Sequence, residues 1–133
     1  MRVHALVATP QQAMAAVDAG ATVVQLRLKD VDTAQRVAVG RQLRPLPAML
    51  VVNDDIRAAI ACGADAVHLG QTDAGGAEAI AAGLLVGISV ATPDQARAAE
   101  ALGAAYLGAG PVWPTPTKVD AGPSIGLDGL AAI

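Results

Sequence analysis

A parallel α/β fold is what this chain predicts, on three observations. Short apolar runs rich in β-branched residues alternate with alanine-rich stretches of helical character. The runs are apolar almost without interruption, which is what strands covered on both faces require. Polar side chains gather where each run ends, at the carboxyl end of the expected strand.

In chain order, strands are expected over residues 3–8, 22–28, 48–53, 66–70, 86–90 and 106–110. Helices are expected between them over residues 11–19, 32–43, 55–62, 77–82 and 92–103. The last of these has the clearest start. In Thr92-Pro93-Asp94-Gln95 the threonine can cap, proline suits the first helical position and Gln95 completes a capping-box pattern. Gly20, Gly63, Gly83 and Gly103 follow helix ends as left-handed caps. A weak internal repeat runs from helix end into strand: Ala19-Gly-Ala-Thr-Val-Val, Cys62-Gly-Ala-Asp-Ala-Val and Leu102-Gly-Ala-Ala-Tyr-Leu. One βα unit is therefore reused.

Repeated βα units with right-handed crossovers give a doubly wound sheet or a barrel. No Gly-x-Gly-x-x-Gly follows the first strand, which counts against a dinucleotide fold. The strand ends carry Gln25, Arg27 and Lys29, then Asn53 and Asp54, Gln71 and Asp73, Ser89, and finally Thr115, Thr117 and Lys118. Function-bearing residues on five successive strands fit the rim of a TIM (β/α)8-type barrel better than a single switch-point crevice.

Composition narrows the function. With 133 residues, 53% of them hydrophobic, the chain suits one domain, taken as residues 1–133. A net charge of -3 and 2% aromatic residues argue against a nucleic-acid surface or base-stacking platform. The lone Cys62 cannot form an internal disulfide and is read as a small buried filler. No signal peptide or spanning segment is recognised, so a cytoplasmic protein without membrane contact is expected.

Gln25, Arg27 and Lys29 are spaced i, i+2, i+4, so a strand that persists to its end points all three one way. They either form an ordinary solvated strand end or receive an anion such as phosphate. Asn53, the only asparagine, meets Asp54 and Asp55 at the end of the third strand, where helix capping and ligand duty are both open. Asp54 and Asp73 on neighbouring strand ends could share magnesium, which takes one or two carboxylates, waters and substrate phosphate oxygens. Zinc would want more His or Cys. Asp55 is read as a cap, His68 as a hydrogen-bonded core or mouth histidine without a role, and Ser89 as a binding group rather than a nucleophile. Trp113 is read as packing the last loop against the barrel, with stacking on a heteroaromatic substrate as the alternative.

The ordered set Gln25-Leu-Arg-Leu-Lys29, Asn53-Asp54, His68-Leu-Gly-Gln-Thr-Asp73, Gly87-Ile-Ser89, Gly110-Pro-Val-Trp-Pro-Thr-Pro-Thr-Lys118 and Gly126-Leu-Asp-Gly-Leu130 resembles the thiamine phosphate synthase family. The Gly-Pro-x-x-Pro-Thr-x-Thr-Lys loop is the most specific piece. The resemblance implies a (β/α)8 barrel that joins hydroxymethylpyrimidine diphosphate to a thiazole phosphate with the help of Mg2+, releasing pyrophosphate. It implies that Gln25, Arg27, Lys29, Asn53, Ser89 and Lys118 bind the pyrimidine diphosphate and that Asp54 and Asp73 hold the metal. Thr115, Pro116 and Thr117 would line the thiazole phosphate site. Catalysis would rest on Arg27, Lys29, Lys118 and Ser89 stabilising the departing pyrophosphate, with no general base evident.

Two departures from the family pattern stand out. Leu28 occupies a position where the family usually has an acidic residue. The chain also stops at Ile133, inside an expected sixth helix, whereas a full barrel takes about 250 residues. Strands seven and eight are therefore expected to be missing, leaving open edges through which copies could associate. The alternatives to the synthase are a thiazole tautomerase-like or other phosphate-binding barrel enzyme, and a noncatalytic remnant or assembly subunit.

Overall fold

A computed structural model of the chain describes residues 3–115 and 122–133. Six strands alternate with six helices: β1 (His4–Val7), α1 (Pro10–Asp18), β2 (Val23–Leu26), α2 (Thr33–Leu43), β3 (Met49–Asn53), α3 (Ile56–Cys62), β4 (Ala66–Leu69), α4 (Gly76–Ala81), β5 (Leu85–Val90), α5 (Pro93–Leu102), β6 (Tyr106–Ala109) and α6 (Gly126–Ala132). The strands form one parallel sheet in the order β1-β2-β3-β4-β5-β6. The predicted elements are thus present in order. Most of the strands are shorter than expected because pairing stops before the polar rim.

Two faces of the sheet do different work, because side chains alternate along each strand. Val24, Leu26, Leu50, Val52, Val67, Val86 and Val90 face the helices and are almost fully buried. They meet Ala13, Ala58, Ala59, Ala79, Ala96 and Ala99, whose small side chains let the helix axes approach the sheet. Burial of each Val or Leu stabilises the fold by about 1.5–3 kcal/mol. On the opposite, concave face Val23, Val51 and Ala66 form a separate apolar cluster with Met49. Tyr106 on β6 reaches His4 on β1 with ring centroids 5.7 Å apart. The sheet therefore curls until its first and last described strands approach one another, giving the barrel-type curvature.

Local signals explain the helix starts. Thr92 Oγ1 accepts from Gln95 N at 3.2 Å, and Gln95 Oε1 accepts from Ala91 N, one residue before the cap. The same device occurs at α1, where Thr9 accepts from Gln12 N and Gln12 Oε1 accepts from Ala8 N. At α2 Asp32 and Gln35 make the complete capping box. At the other ends Gly63 (φ 72) and Gly103 (φ 95) close α3 and α5 in the left-handed region, which carries no Cβ penalty for glycine. Cys62 is buried, and burial pushes its thiol pKa up, as suits an inert filler. Among the described residues no helix is long and apolar enough to cross a membrane.

Candidate active site

A cavity of about 470 Å³ opens at the carboxyl ends of the strands. Gln25 and Arg27 come to it from β2, Asn53 and Asp54 from β3, and His68 with residues 70–73 from β4. Ser89 enters from β5, Gln95 from the first turn of α5, and Gly110, Pro111 and Gly122 from the segment after β6. This is the rim that the polar strand ends predicted.

Gln25 is the one buried polar side chain among the described residues, 4% exposed, and its Nε2 lies 3.2 Å from His4 Nε2. Arg27 is half-buried beyond the strand end, where its N–H still bonds Val7 O at 2.8 Å. Lys29 is not brought in. Regular pairing of β2 ends at Leu26, so the expected i, i+4 alignment does not extend to Lys29, which is exposed and outside the cavity lining.

Asp54 sits in the left-handed region (φ 62) and anchors its N–H on His68 O at 2.9 Å, tying the ends of β3 and β4 together. Asp54 and Asp73 both line the cavity, and Asp73 Oδ2 accepts from Gly70 N at 2.7 Å. Asp55 is a cap, as expected: it accepts from Ala58 N at 2.8 Å and Thr33 Oγ1 at 2.8 Å and pairs with Arg36 at 3.3 Å. Burial pushes its carboxyl pKa up, but these donors and the guanidinium outweigh it and hold the pKa below the usual value.

Among the described residues no group of three or more His, Cys, Asp or Glu is gathered to cage a metal. Two exposed carboxylates on one cavity instead suit a hard cation whose remaining ligands are water and anion oxygens.

Ser89 is half-buried, and its Oγ lies 2.9 Å from His68 Nε2, while Gln71 Nε2 donates to Ser89 O at 2.7 Å. His68 Nδ1 lies 3.1 Å from the Tyr106 hydroxyl and the two rings stack. His68 is accordingly a hydrogen-bonded mouth residue. Neither His4 nor Tyr106 stands out in the sequence as more than a strand residue, yet both join this inner polar cluster. In the parallel ladder between β5 and β6, Tyr106, the only tyrosine of the chain, is paired with Gly87.

Trp113 differs from expectation. It is 68% exposed and does not pack against the barrel. Thr115 is exposed outside the cavity lining, and Pro116, Thr117 and Lys118 lie outside the described residues.

A family profile described as thiamine monophosphate synthase matches residues 4–133. The chain is 48% identical over 122 residues to a thiamine-phosphate synthase of Solidesulfovibrio magneticus, covering 86% of this chain and 58% of that protein. It is 44% identical to a thiamine-phosphate synthase of a Roseiflexus species, covering 90% of this chain and 53% of the relative. The structure is similar to that of a thiamine phosphate pyrophosphorylase from Pyrococcus furiosus, with a TM-score of 0.85, 34% identity, and coverage of 97% of this chain and 67% of the other. The chain thus spans a little over half the length of the curated relatives it matches. With that match running from β1 through α6, the chain belongs to the thiamine monophosphate synthase family.

Proposed function

We propose that the protein is a transferase of the thiamine phosphate synthase type, working in the cytoplasm on hydroxymethylpyrimidine diphosphate and thiazole phosphate. In this reaction the bond between the pyrimidine methylene carbon and the diphosphate oxygen breaks. The thiazole nitrogen then forms a new C–N bond at that carbon, and pyrophosphate leaves. The observation that carries the reading is the convergence of Arg27, Asn53, Asp54, Asp73 and Ser89 on one cavity at the carboxyl rim.

The chemistry asks for stabilisation of a departing polyanion rather than for a base. Arg27 suits it, because a guanidinium presents paired donors to phosphate oxygens. The Asn53 amide and Ser89 hydroxyl add neutral donors that hold the diphosphate without requiring a proton to move. Asp54 and Asp73 would hold Mg2+, which when bound neutralises charge on the diphosphate and its leaving form. Lys118 and the Thr115 to Thr117 segment would add a further cation and the thiazole phosphate contacts. Lys29 would contribute through long-range attraction to the diphosphate.

The test is incubation of the purified chain with both substrates and Mg2+, followed by chromatography for thiamine phosphate and pyrophosphate. Equal yields of both products, lost in Arg27→Ala, are expected. No product, or product that is indifferent to Arg27→Ala, would contradict the assignment.

A further inference from the structure

Arg27 lines the cavity although β2 ends one residue before it, at Leu26. Contacts outside the regular ladder carry the chain past that end. The Arg27 N–H donates to Val7 O at 2.8 Å, and the residue after it is held at both its side chain and its carbonyl. The Leu28 side chain packs against the main core, and Leu28 O accepts from Arg36 Nη2 at 3.2 Å. Alternation therefore continues beyond the strand, with Arg27 on the cavity side and Leu28 on the helix side.

Arg36 is fixed for this by a second bond. Its Nη1 donates to Asp55 Oδ2 at 3.3 Å, and Asp55 also accepts from Ala58 N and Thr33 Oγ1, both at 2.8 Å. The side chains of the Arg36–Asp55 pair are only 22% and 13% exposed, so water and salt screen it less than a surface pair. One planar guanidinium thus spans two acceptors on different segments, a task for which an ammonium is poorly shaped.

Local helix chemistry does not ask for an arginine there. Arg36 lies near the start of α2, where the helix dipole disfavours a cation, and Asp32 with Gln35 already caps that end. Nor does Arg36 line the carboxyl-end cavity; it stands behind the rim. What it joins is the end of β2, which carries Arg27, to Asp55, the neighbour of the cavity residue Asp54.

We propose that Arg36 is a positioning residue: held by Asp55, it clamps the Leu28 carbonyl and so keeps Arg27 at the cavity, set to receive an anion. The part that concerns the anion rests on the function proposed above, whereas the part that concerns the clamp does not.

The experiment has two arms and uses two substitutions. Arg36→Met keeps the aliphatic stem and removes every donor. Arg36→Lys keeps the charge, but its ammonium is drawn to the Asp55 carboxylate rather than to the neutral Leu28 carbonyl. The first arm is amide hydrogen exchange followed by NMR in the ligand-free chain. Relative to the Leu26 amide within β2, the Arg27 amide is expected to exchange about fivefold faster in both variants, the factor for loss of one hydrogen bond of ordinary net strength. An unchanged ratio in either variant would overturn the clamp. Should Arg36→Met fail to fold, Arg36→Lys still decides.

The second arm is calorimetric titration with inorganic pyrophosphate and Mg2+, using Arg36→Lys so that the charge near the cavity is preserved. Arg27→Ala is expected to weaken binding at least about tenfold, as for loss of one hydrogen bond to a charged group. Arg36→Lys is expected to weaken it about threefold, the factor when the competent placement falls to about a third of the population. The double variant should bind no worse than Arg27→Ala alone, since Arg36 acts through Arg27. Additive losses, or parental affinity in Arg36→Lys, would overturn the positioning role. Absence of pyrophosphate binding in the parent would count against the proposed function, while the exchange result would stand by itself.

Discussion

Replacing Gly87 with alanine puts a methyl group where the Tyr106 ring lies. The added Cβ would sit 2.0 Å from Cζ and 2.4 Å from both Cε1 and the hydroxyl oxygen, so the ring must leave. Displacement of a packed ring costs about 1–3 kcal/mol as overpacking. Loss of the Tyr106 hydrogen bond to His68 adds about 1 kcal/mol. Against this, alanine restricts the unfolded chain and would stabilise by about 0.4–1 kcal/mol at a position it fits. The clash therefore sets the sign, and a net loss of about 1–3 kcal/mol is expected from urea unfolding. In a Tyr106→Ala background the obstacle is gone, and Gly87→Ala should become neutral or mildly stabilising. A single variant as stable as the parent, or an equal loss in both backgrounds, would refute this packing argument.

Asp54→Asn with Asp73→Asn should leave the unfolding midpoint nearly unchanged, because both carboxylates are exposed, yet abolish the Mg2+ dependence of pyrophosphate binding; full Mg2+-dependent binding in the double variant would exclude them as ligands. Asp55→Asn should lower stability at neutral pH. The folded pKa of Asp55 is depressed, so its contribution is complete above the ordinary value of 3.8 and is lost as pH falls through the lower folded value; the gap between parent and variant unfolding midpoints should close over that window. A gap that persists in acid would assign Asp55 a role other than a charged cap. β1 and β6 each have one strand neighbour among the described residues, so sedimentation is expected to find the isolated chain self-associating, and a concentration-independent monomer would oppose that.

Parallel architecture was readable because strands buried on both sides are apolar almost without interruption: Met49 to Val52 is wholly apolar, and Val23 to Leu26 is broken only by Gln25. Helix starts were readable where capping chemistry is local, as at Thr92 and Asp55. The start at Thr9 carries the same Thr-Pro-x-Gln signature as Thr92-Pro93-Asp94-Gln95 and is capped in the same way. Strand-end position sufficed to assemble Arg27, Asn53, Asp54, Asp73 and Ser89. It failed for Lys29, because alternation is informative only while the strand lasts and β2 stops at Leu26. The His4, Gln25, Tyr106 and His68 cluster was hidden because its contacts span sequence separations such as the 38 residues between His68 and Tyr106. Such contacts depend on the curl of the whole sheet, which no local pattern encodes.

The central claim is that the carboxyl-end cavity receives a diphosphate through Arg27 and the neighbouring donors. Calorimetry with pyrophosphate in the presence of Mg2+ tests it most directly, using the parent chain, Arg27→Ala and Lys118→Ala. One site per chain is predicted, with each variant weaker by about 1.5–3 kcal/mol, as for loss of a charged hydrogen bond. No heat of binding in the parent, or affinity untouched by Arg27→Ala, would contradict it.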